Sequence, residues 1–263
     1  MEISGKVVVV TGGAHGIGAA MATRFAADGA EAVVVADLDE AGAQEVATHV
    51  EHAGSGSIAR RTDVADPAQV QALVDATLER FGRIDLFCSN AGIAAGAGVE
   101  APLDVWQRTW DVNVMAHVHA ANAVLPAMLE GGEGYLLQTV SAAGLLTSPG
   151  DAPYTATKHA ALALAEWIAV TYGGRGIKVS ALCPQGVRTD LLMRGVESET
   201  PAALAVLAAG EVLEPVQVVD TVMEGLADER FLILPHPEVA EYVTMKAADR
   251  DRWIRGVRRL IPG

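Results

Sequence analysis

Apolar residues in this chain fall in short unbroken runs that alternate with longer segments of helical spacing. Lys6-Val-Val-Val-Val-Thr11 is the first run; it is β-branched, bounded by glycines, and reads as a buried strand. Runs of this kind predict strands at 6–11, 32–36, 57–62, 85–89, 134–140, 177–183 and 231–234. The segments between them predict helices at 16–28, 39–53, 67–81, 104–130, 153–173 and 215–227. In the first helix the apolar stripe is Ile17, Met21, Phe25 and Ala26. Asp66-Pro67 reads as a helix start, with Asp as the cap and Pro in the first turn. Gly131-Gly132 and Gly173-Gly174 read as helix ends. Strands alternating with helices through short loops imply a parallel sheet covered on both faces.

The turn after the first strand is Gly12-Gly13-Ala14-His15-Gly16-Ile17-Gly18, and it opens a helix. Strand, Gly-rich turn and helix form the context of a dinucleotide phosphate site. Glycines let the backbone approach the pyrophosphate, and the helix N-terminus favours its charge. The spacing is Gly-x-x-x-Gly-x-Gly, not the usual Gly-x-Gly-x-x-Gly. Asp37 ends the second apolar run nineteen positions after Gly18, where a ribose-binding carboxylate is expected. A carboxylate there repels a 2′-phosphate, so the reading is NAD(H) over NADP(H). The expected fold is α/β: a single Rossmann-like doubly wound domain over 1–263, with a seven-stranded parallel sheet and helices on both faces.

Tyr154 and Lys158 lie four residues apart, so on a helix the phenol and the ammonium share a face. A free Tyr titrates near 10, too high for acid–base work at neutral pH. An ammonium about 4 Å away favours phenolate by roughly 4 kcal/mol at an effective dielectric of about 20, or about three pKa units. Ser141 precedes Tyr154 by thirteen positions. The chemistry indicated is proton transfer to or from an alcohol oxygen.

Together these residues resemble the short-chain dehydrogenase/reductase family over about residues 4–235. The ordered motifs are Thr11-Gly-Gly-Ala-His-Gly-Ile-Gly18, Asp63-Val64, Ser89-Asn90-Ala91-Gly92, Asn113, Ser141, Tyr154-x-x-x-Lys158 and Pro184-Gln-Gly-Val-Arg-Thr189. The resemblance implies Tyr154 as acid–base and Lys158 as the group that lowers its pKa and binds the nicotinamide ribose. It implies Ser141 as hydrogen-bond partner of the substrate oxygen. Asn113 would hold a water that links Lys158 to solvent. The Gly-rich turn with His15 and Ile17, Asp37 with Leu38, and Asp63 with Val64 would bind the adenosine half of the cofactor. Asn90, Ala91 and Gly92 would line the cleft, and Pro184, Gly186, Val187 and Thr189 would position the carboxamide and phosphates. Gln185-Gly186 replaces the commoner order after Pro184, and Ser89 stands where the family often has Asn. The family is commonly tetrameric, so a homotetramer or homodimer is implied. Rival readings are an NADPH-dependent 3-oxoacyl-thioester reductase, an epimerase or dehydratase, and a non-catalytic dinucleotide-binding regulator. Asp37 and the ending Phe231-Leu-Ile-Leu234-Pro-His-Pro count against the thioester reductase.

Composition narrows the partners. The chain has 263 residues and a formal charge of −14, which disfavours a nucleic-acid partner. The two cysteines, Cys88 and Cys183, sit in apolar runs and read as small buried hydrophobes. His117 and His119 do not face each other, His159 points away from the site, and no metal site is expected. Strand 1 begins within six residues, and no apolar stretch reaches the length of a membrane span, so a cytoplasmic location is expected. The stretch at 188–214, rich in Ala, Leu and Glu, reads as mobile, and the family resemblance implies a substrate lid there, with Leu191, Leu192, Met193 and Val196 as one apolar wall. Leu145, Leu146 and Pro149 offer another, and the small residues from Ala94 to Gly98 leave space, so an apolar secondary alcohol or ketone is expected. The tail at 235–263 carries two amphipathic patterns: Val239, Tyr242, Val243 and Met245, then Trp253, Ile254, Val257 and Leu260. It reads either as an arm that wraps a neighbouring subunit or caps its active site, or as a cover for its own sheet edge.

Overall fold

A computed structural model describes residues 1–259, so Leu260 lies outside the described residues. Seven strands form one sheet: β1 (Val7–Thr11), β2 (Ala32–Asp37), β3 (Gly56–Arg61), β4 (Leu86–Ser89), β5 (Gly134–Thr139), β6 (Ile177–Leu182) and β7 (Leu232–Ile233). All are parallel, in the order β3-β2-β1-β4-β5-β6-β7. β1 registers Val8 against Val33 on one side and against Leu86 on the other. The central strands are buried on both faces, which is why they read as unbroken Val runs.

Two apolar layers flank the sheet. One packs Val8, Val10, Val33 and Leu137 against helices α1 (Gly16–Ala27), α2 (Glu40–His52) and α10 (Pro215–Ala227). The other packs Val9, Val34, Phe87 and Leu136 against α3 (Pro67–Phe81), α5 (Ala116–Gly131) and α7 (Ala152–Tyr172). Strand order reverses direction between β1 and β4, and a cleft opens there at the carboxyl ends of the strands.

Several element readings change. The helix expected at 104–130 is α4 (Leu103–Trp110), a π turn at Asp111–Met115, and then α5 with Pro126 inside. The π turn falls on Asn113 and re-aims it within a run whose apolar period is otherwise helical. The whole run, Leu103–Gly131, is long and apolar enough to cross a membrane, yet 61% of its most apolar window is buried inside the protein. Its apolarity answers to α3, α7 and the sheet. The stretch at 190–214 is ordered as α8 (Asp190–Glu197) and α9 (Pro201–Ala209). Thr200 caps α9 through its side chain, a signal present in Thr200-Pro201. The last strand pairs over only two residues, because Pro235 and Pro237 carry no N–H for further pairing. The tail forms α11 (Glu238–Ala248) and α12 (Arg250–Arg258). Helix α6 (Ala142–Leu145) is a single turn after Ser141.

Candidate active site

The cleft encloses about 1250 Å³. Its floor at one end is the turn between β1 and α1. Gly12 has φ +63°, and a Cβ on it would lie 2.8 Å from the Ala91 Cα. A Cβ on Gly18 would lie 2.0 Å from the Gly12 carbonyl oxygen. Gly18 is therefore buried beneath the turn and does not line the cleft, whereas Gly12, His15, Gly16 and Ile17 do. Asn90 braces the turn by donating through Nδ2 to the Thr11 and Gly12 carbonyls, both at 3.1 Å.

The N-terminus of α1 differs from its neighbours. Helices α2, α3 and α7 are capped by the side chains of Asp39, Asp66 and Asp151. Helix α1 has His15 at its N-cap position, with no side-chain cap and no acidic residue in its first turn. Gly16 and Ile17 of its first turn line the cleft, and an uncapped helix start suits an anion such as a pyrophosphate. A glycine cradle too close for any Cβ, together with an uncapped helix start, fits a dinucleotide.

Asp37 lines the cleft at the end of β2 beside Leu38. Its Oδ2 accepts from the Ala14 N–H and its Oδ1 from the Asp39 N–H, both at 3.0 Å. Arg61 stands opposite Asp37 in the β2–β3 register but does not line the cleft. His15 Nε2 lies 2.8 Å from Asp39 Oδ2. Asp63 and Val64 form the next part of the wall. The Asp63 carboxylate is occupied by the Ala65 N–H at 3.0 Å and by the Arg108 guanidinium at 3.3 Å. Ala91 and Gly92 continue the wall toward Lys158, and a Cβ on Gly92 would lie 3.3 Å from the Lys158 Nζ.

Ser141, Tyr154 and Lys158 meet at the centre. Ser141 caps α6, its Oγ accepting from the Ala143 N–H at 3.1 Å. Tyr154 and Lys158 share one face of α7, and the Lys158 Nζ sits 5.5 Å from the centroid of the Tyr154 ring. The Lys158 ammonium donates to the Thr139 carbonyl at 3.1 Å. Burial pushes the Tyr154 phenol up to about 12, with a hydrogen bond to Ser141 pulling the other way. Burial also pushes Lys158 down to about 8. This differs from the downward shift of Tyr154 expected from spacing alone. That argument counted the ammonium and left out desolvation, which is the larger effect here.

Asn113 is fully buried and does not line the cleft. Its Oδ1 accepts from the Ile93 N–H at 2.9 Å, and its Nδ2 donates to the Ile93 carbonyl at 2.9 Å and to Thr157 Oγ1 at 3.1 Å. The amide is thus committed to holding the 92–96 loop against α7. Pro184, Val187 and Thr189 line the cleft, and Gly186 does not. The Gly186 carbonyl instead accepts from the Leu213 N–H at 3.0 Å, and Gln185 takes its place in the wall. Cys88 and Cys183 are free and buried, and burial pushes Cys183 up to about 12.

The apolar half of the cleft lies beyond Ser141. Leu146, Pro149, Leu191 and Leu192 line it, whereas Leu145, Met193 and Val196 do not. The tail lines it too, through Tyr242, Met245, Trp253 and Val257, so α11 and α12 cover this chain's own cleft. Sequence reasoning also missed Asp151. Its Oδ1 caps the Tyr154 N–H at 2.9 Å, and its Oδ2 accepts from Ala95 and Gly96 at 2.9 and 2.7 Å. The signal was present, since Asp151-Ala152-Pro153 is a capped helix start. Nothing in the local pattern points to His236, which is 2% exposed and accepts from the Gln185 N–H at 3.2 Å.

A parallel sheet with a glycine cradle at its switch point, joined to a buried Ser–Tyr–Lys group, defines a dinucleotide-dependent α/β enzyme. Comparison with known proteins gives the particular family. A model of the short chain dehydrogenase family matches residues 6–200. The chain is 36% identical over 245 residues to a 1-deoxy-11-beta-hydroxypentalenate dehydrogenase of Streptomyces avermitilis, covering 90% of this chain and 87% of that one. It is 37% identical over 225 residues to a 2-(R)-hydroxypropyl-CoM dehydrogenase of Xanthobacter autotrophicus, covering 83% and 90%. A short chain dehydrogenase/reductase of Burkholderia phymatum, solved in complex with NAD, matches with a TM-score of 0.86 and 33% identity over 95% and 96% of the two chains. The protein belongs to the short-chain dehydrogenase/reductase family, and it is an oxidoreductase.

Proposed function

We propose that this enzyme interconverts an apolar secondary alcohol and its ketone, with NAD(H) as the cofactor and Tyr154 as the acid–base. The observation that carries the reading is the convergence of Ser141, Tyr154 and Lys158 where the glycine cradle meets the apolar half of the cleft. In reduction, the Tyr154 hydroxyl donates its proton to the carbonyl oxygen while Ser141 hydrogen-bonds the same oxygen as charge develops. In oxidation, Tyr154 takes the hydroxyl proton. A nicotinamide cofactor bound in the cleft would supply or accept the hydride, and its oxidised form would bring one positive charge into the site. That charge and the Lys158 ammonium oppose the burial that holds the phenol protonated. Any relay of protons past Asn113 runs through its backbone, since its side-chain amide is committed to Ile93 and Thr157. The named relatives support a hydroxyl substrate, for both names describe dehydrogenases of hydroxy compounds.

Asp37 is the basis for NAD(H) over NADP(H). Fluorescence titration is expected to show NADH bound at least about tenfold more tightly than NADPH, a difference of about 1.4 kcal/mol. Asp37→Ala is expected to reduce that ratio to about threefold or less. A wild-type preference for NADPH would sink the assignment and favour a thioester or ketone reductase.

Exposed apolar side chains on two helices support a homo-oligomer. Leu103 is 85% exposed on α4, and Trp167 and Val170 are 58% and 85% exposed on α7. Size-exclusion chromatography with light scattering is expected to give a dimer or tetramer, and Val170→Glu is expected to shift it toward monomer. A monomeric wild type would remove this part of the reading.

A further inference from the structure

The C-terminal helices are held by little apolar burial. Helix α12 has no buried residue, and α11 has only Val239 and Lys246. Lys246 is 9% exposed, unusual for a lysine on a peripheral helix. Its surroundings account for the burial. The Lys246 Nζ donates to the Leu145 carbonyl at 2.7 Å and to the Leu146 carbonyl at 2.8 Å. It lies 3.4 Å from His159 Nε2. His159 Nδ1 lies 2.9 Å from the Thr155 carbonyl, so Nδ1 carries the hydrogen and Nε2 is left as an acceptor. The three N–H groups of the ammonium thus have three acceptors. The Trp253 ring of α12 covers the remaining side, its centroid 5.1 Å from Nζ.

The groups gathered here come from separate parts of the active site. Leu145 and Leu146 follow Ser141, and His159 follows Lys158 on α7. Leu146, Tyr242, Met245 and Trp253 line the apolar half of the cleft around this point. Met245 is 54% exposed toward open space, so apolar surface remains for a ligand to cover.

We propose that Lys246 is a positioning residue that latches the C-terminal helices over the substrate side of the cleft, and that this latch selects bulky apolar alcohols over small ones. Without it, α11 and α12 lose the one buried charge that ties them to the Ser141 loop, and little apolar packing remains in its place. A bulky substrate reaches Tyr242, Met245 and Trp253 and adds the apolar contact that completes closure. A small alcohol reacting at Tyr154 does not reach them. The nucleotide half of the cleft, at Gly12, Asp37 and Asp63, is remote from the latch. The selectivity rests on the alcohol–ketone reading above, whereas the latch itself does not.

The test compares wild type, Lys246→Met and Trp253→Leu. Amide hydrogen exchange in 142–149 and 238–258 is expected to quicken at least about tenfold in Lys246→Met and less in Trp253→Leu, with 177–182 unchanged. Saturating borneol, a bulky secondary alcohol, is expected to slow exchange in 238–258 of the wild type and not of Lys246→Met. In turnover, Lys246→Met is expected to raise KM for borneol at least about fivefold, to leave KM for 2-butanol and kcat for both within about twofold, and to leave NADH binding unchanged. Unchanged exchange in Lys246→Met would overturn the latch, and absence of borneol protection in the wild type would overturn its role as a cover. Equal KM changes for both alcohols would overturn the selectivity. If neither alcohol reacts while borneol still protects 238–258, the latch stands and the alcohol–ketone reading is what fails.

Discussion

Replacing Tyr154 by Phe is expected to lower kcat by about 10²–10⁴-fold, the usual contribution of a positioned acid–base group. NADH binding is expected to stay within about twofold. The substitution keeps the ring and its place 5.5 Å from the Lys158 ammonium, and it keeps the cap by which Asp151 holds the Tyr154 N–H. Only the hydroxyl is lost, and with it the proton that must reach the substrate oxygen. Steady-state kinetics on an alcohol panel, read at the absorbance of the reduced cofactor, measures the first quantity, and fluorescence titration measures the second. A variant that retains most of its turnover would remove Tyr154 from the mechanism. Loss of NADH binding would instead show that the hydroxyl holds the cofactor.

A second large effect is expected from His117, in the first turn of α5. Its ring is 1% exposed, and among the described residues neither ring nitrogen has a hydrogen-bond partner. Burial, helped by the positive charge of Lys158, pushes it down to about 3. The unfolded chain binds a proton near pH 6.5 that the folded chain refuses until about pH 3. Stability is therefore fully present above about pH 6.5 and falls as pH drops through that window. Each unit costs about 1.4 kcal/mol, so roughly 2 kcal/mol is lost by pH 5 through this one group. His117→Leu is expected to cut the loss between pH 7 and pH 5 by that amount. It is also expected to stabilise the protein at pH 7 by about 1 kcal/mol, since two unpartnered nitrogens leave the interior. Urea unfolding of both proteins at the two pH values measures the difference, in which the shared carboxylate titrations cancel. Identical pH dependence in the two proteins would exclude His117 as the source.

Helix and strand order was legible because each depends on local pattern. The Val runs of β1 and β2 are apolar at every position, as strands covered on both faces must be. The Asp66 cap and the Gly132 helix end show in the sequence because their geometry involves neighbours only. The cleft was legible wherever a backbone constraint selects the residue, as at Gly12, or wherever helical spacing pairs two side chains, as at Tyr154 and Lys158. Gly186 and Gln185 exchanged places because facing the cleft depends on the Leu213 bridge, which is remote in sequence.

The sequence by itself determined the parallel sheet, the glycine turn and the pairing of Tyr154 with Lys158 on one helix face. These follow from periodicity, glycine requirements and residue spacing, all of which act over a few neighbours, whereas the place of Ser141 beside them came from the family resemblance. The tertiary structure alone decided which groups are desolvated and what they touch. It put burial ahead of the ammonium at Tyr154, turned the Asn113 amide onto Ile93 and left His117 without partners. It also brought Lys246 to the carbonyls of Leu145 and Leu146, about a hundred positions earlier in the chain. Desolvation and long-range hydrogen bonding depend on what other segments bring to a point, and no local pattern encodes that.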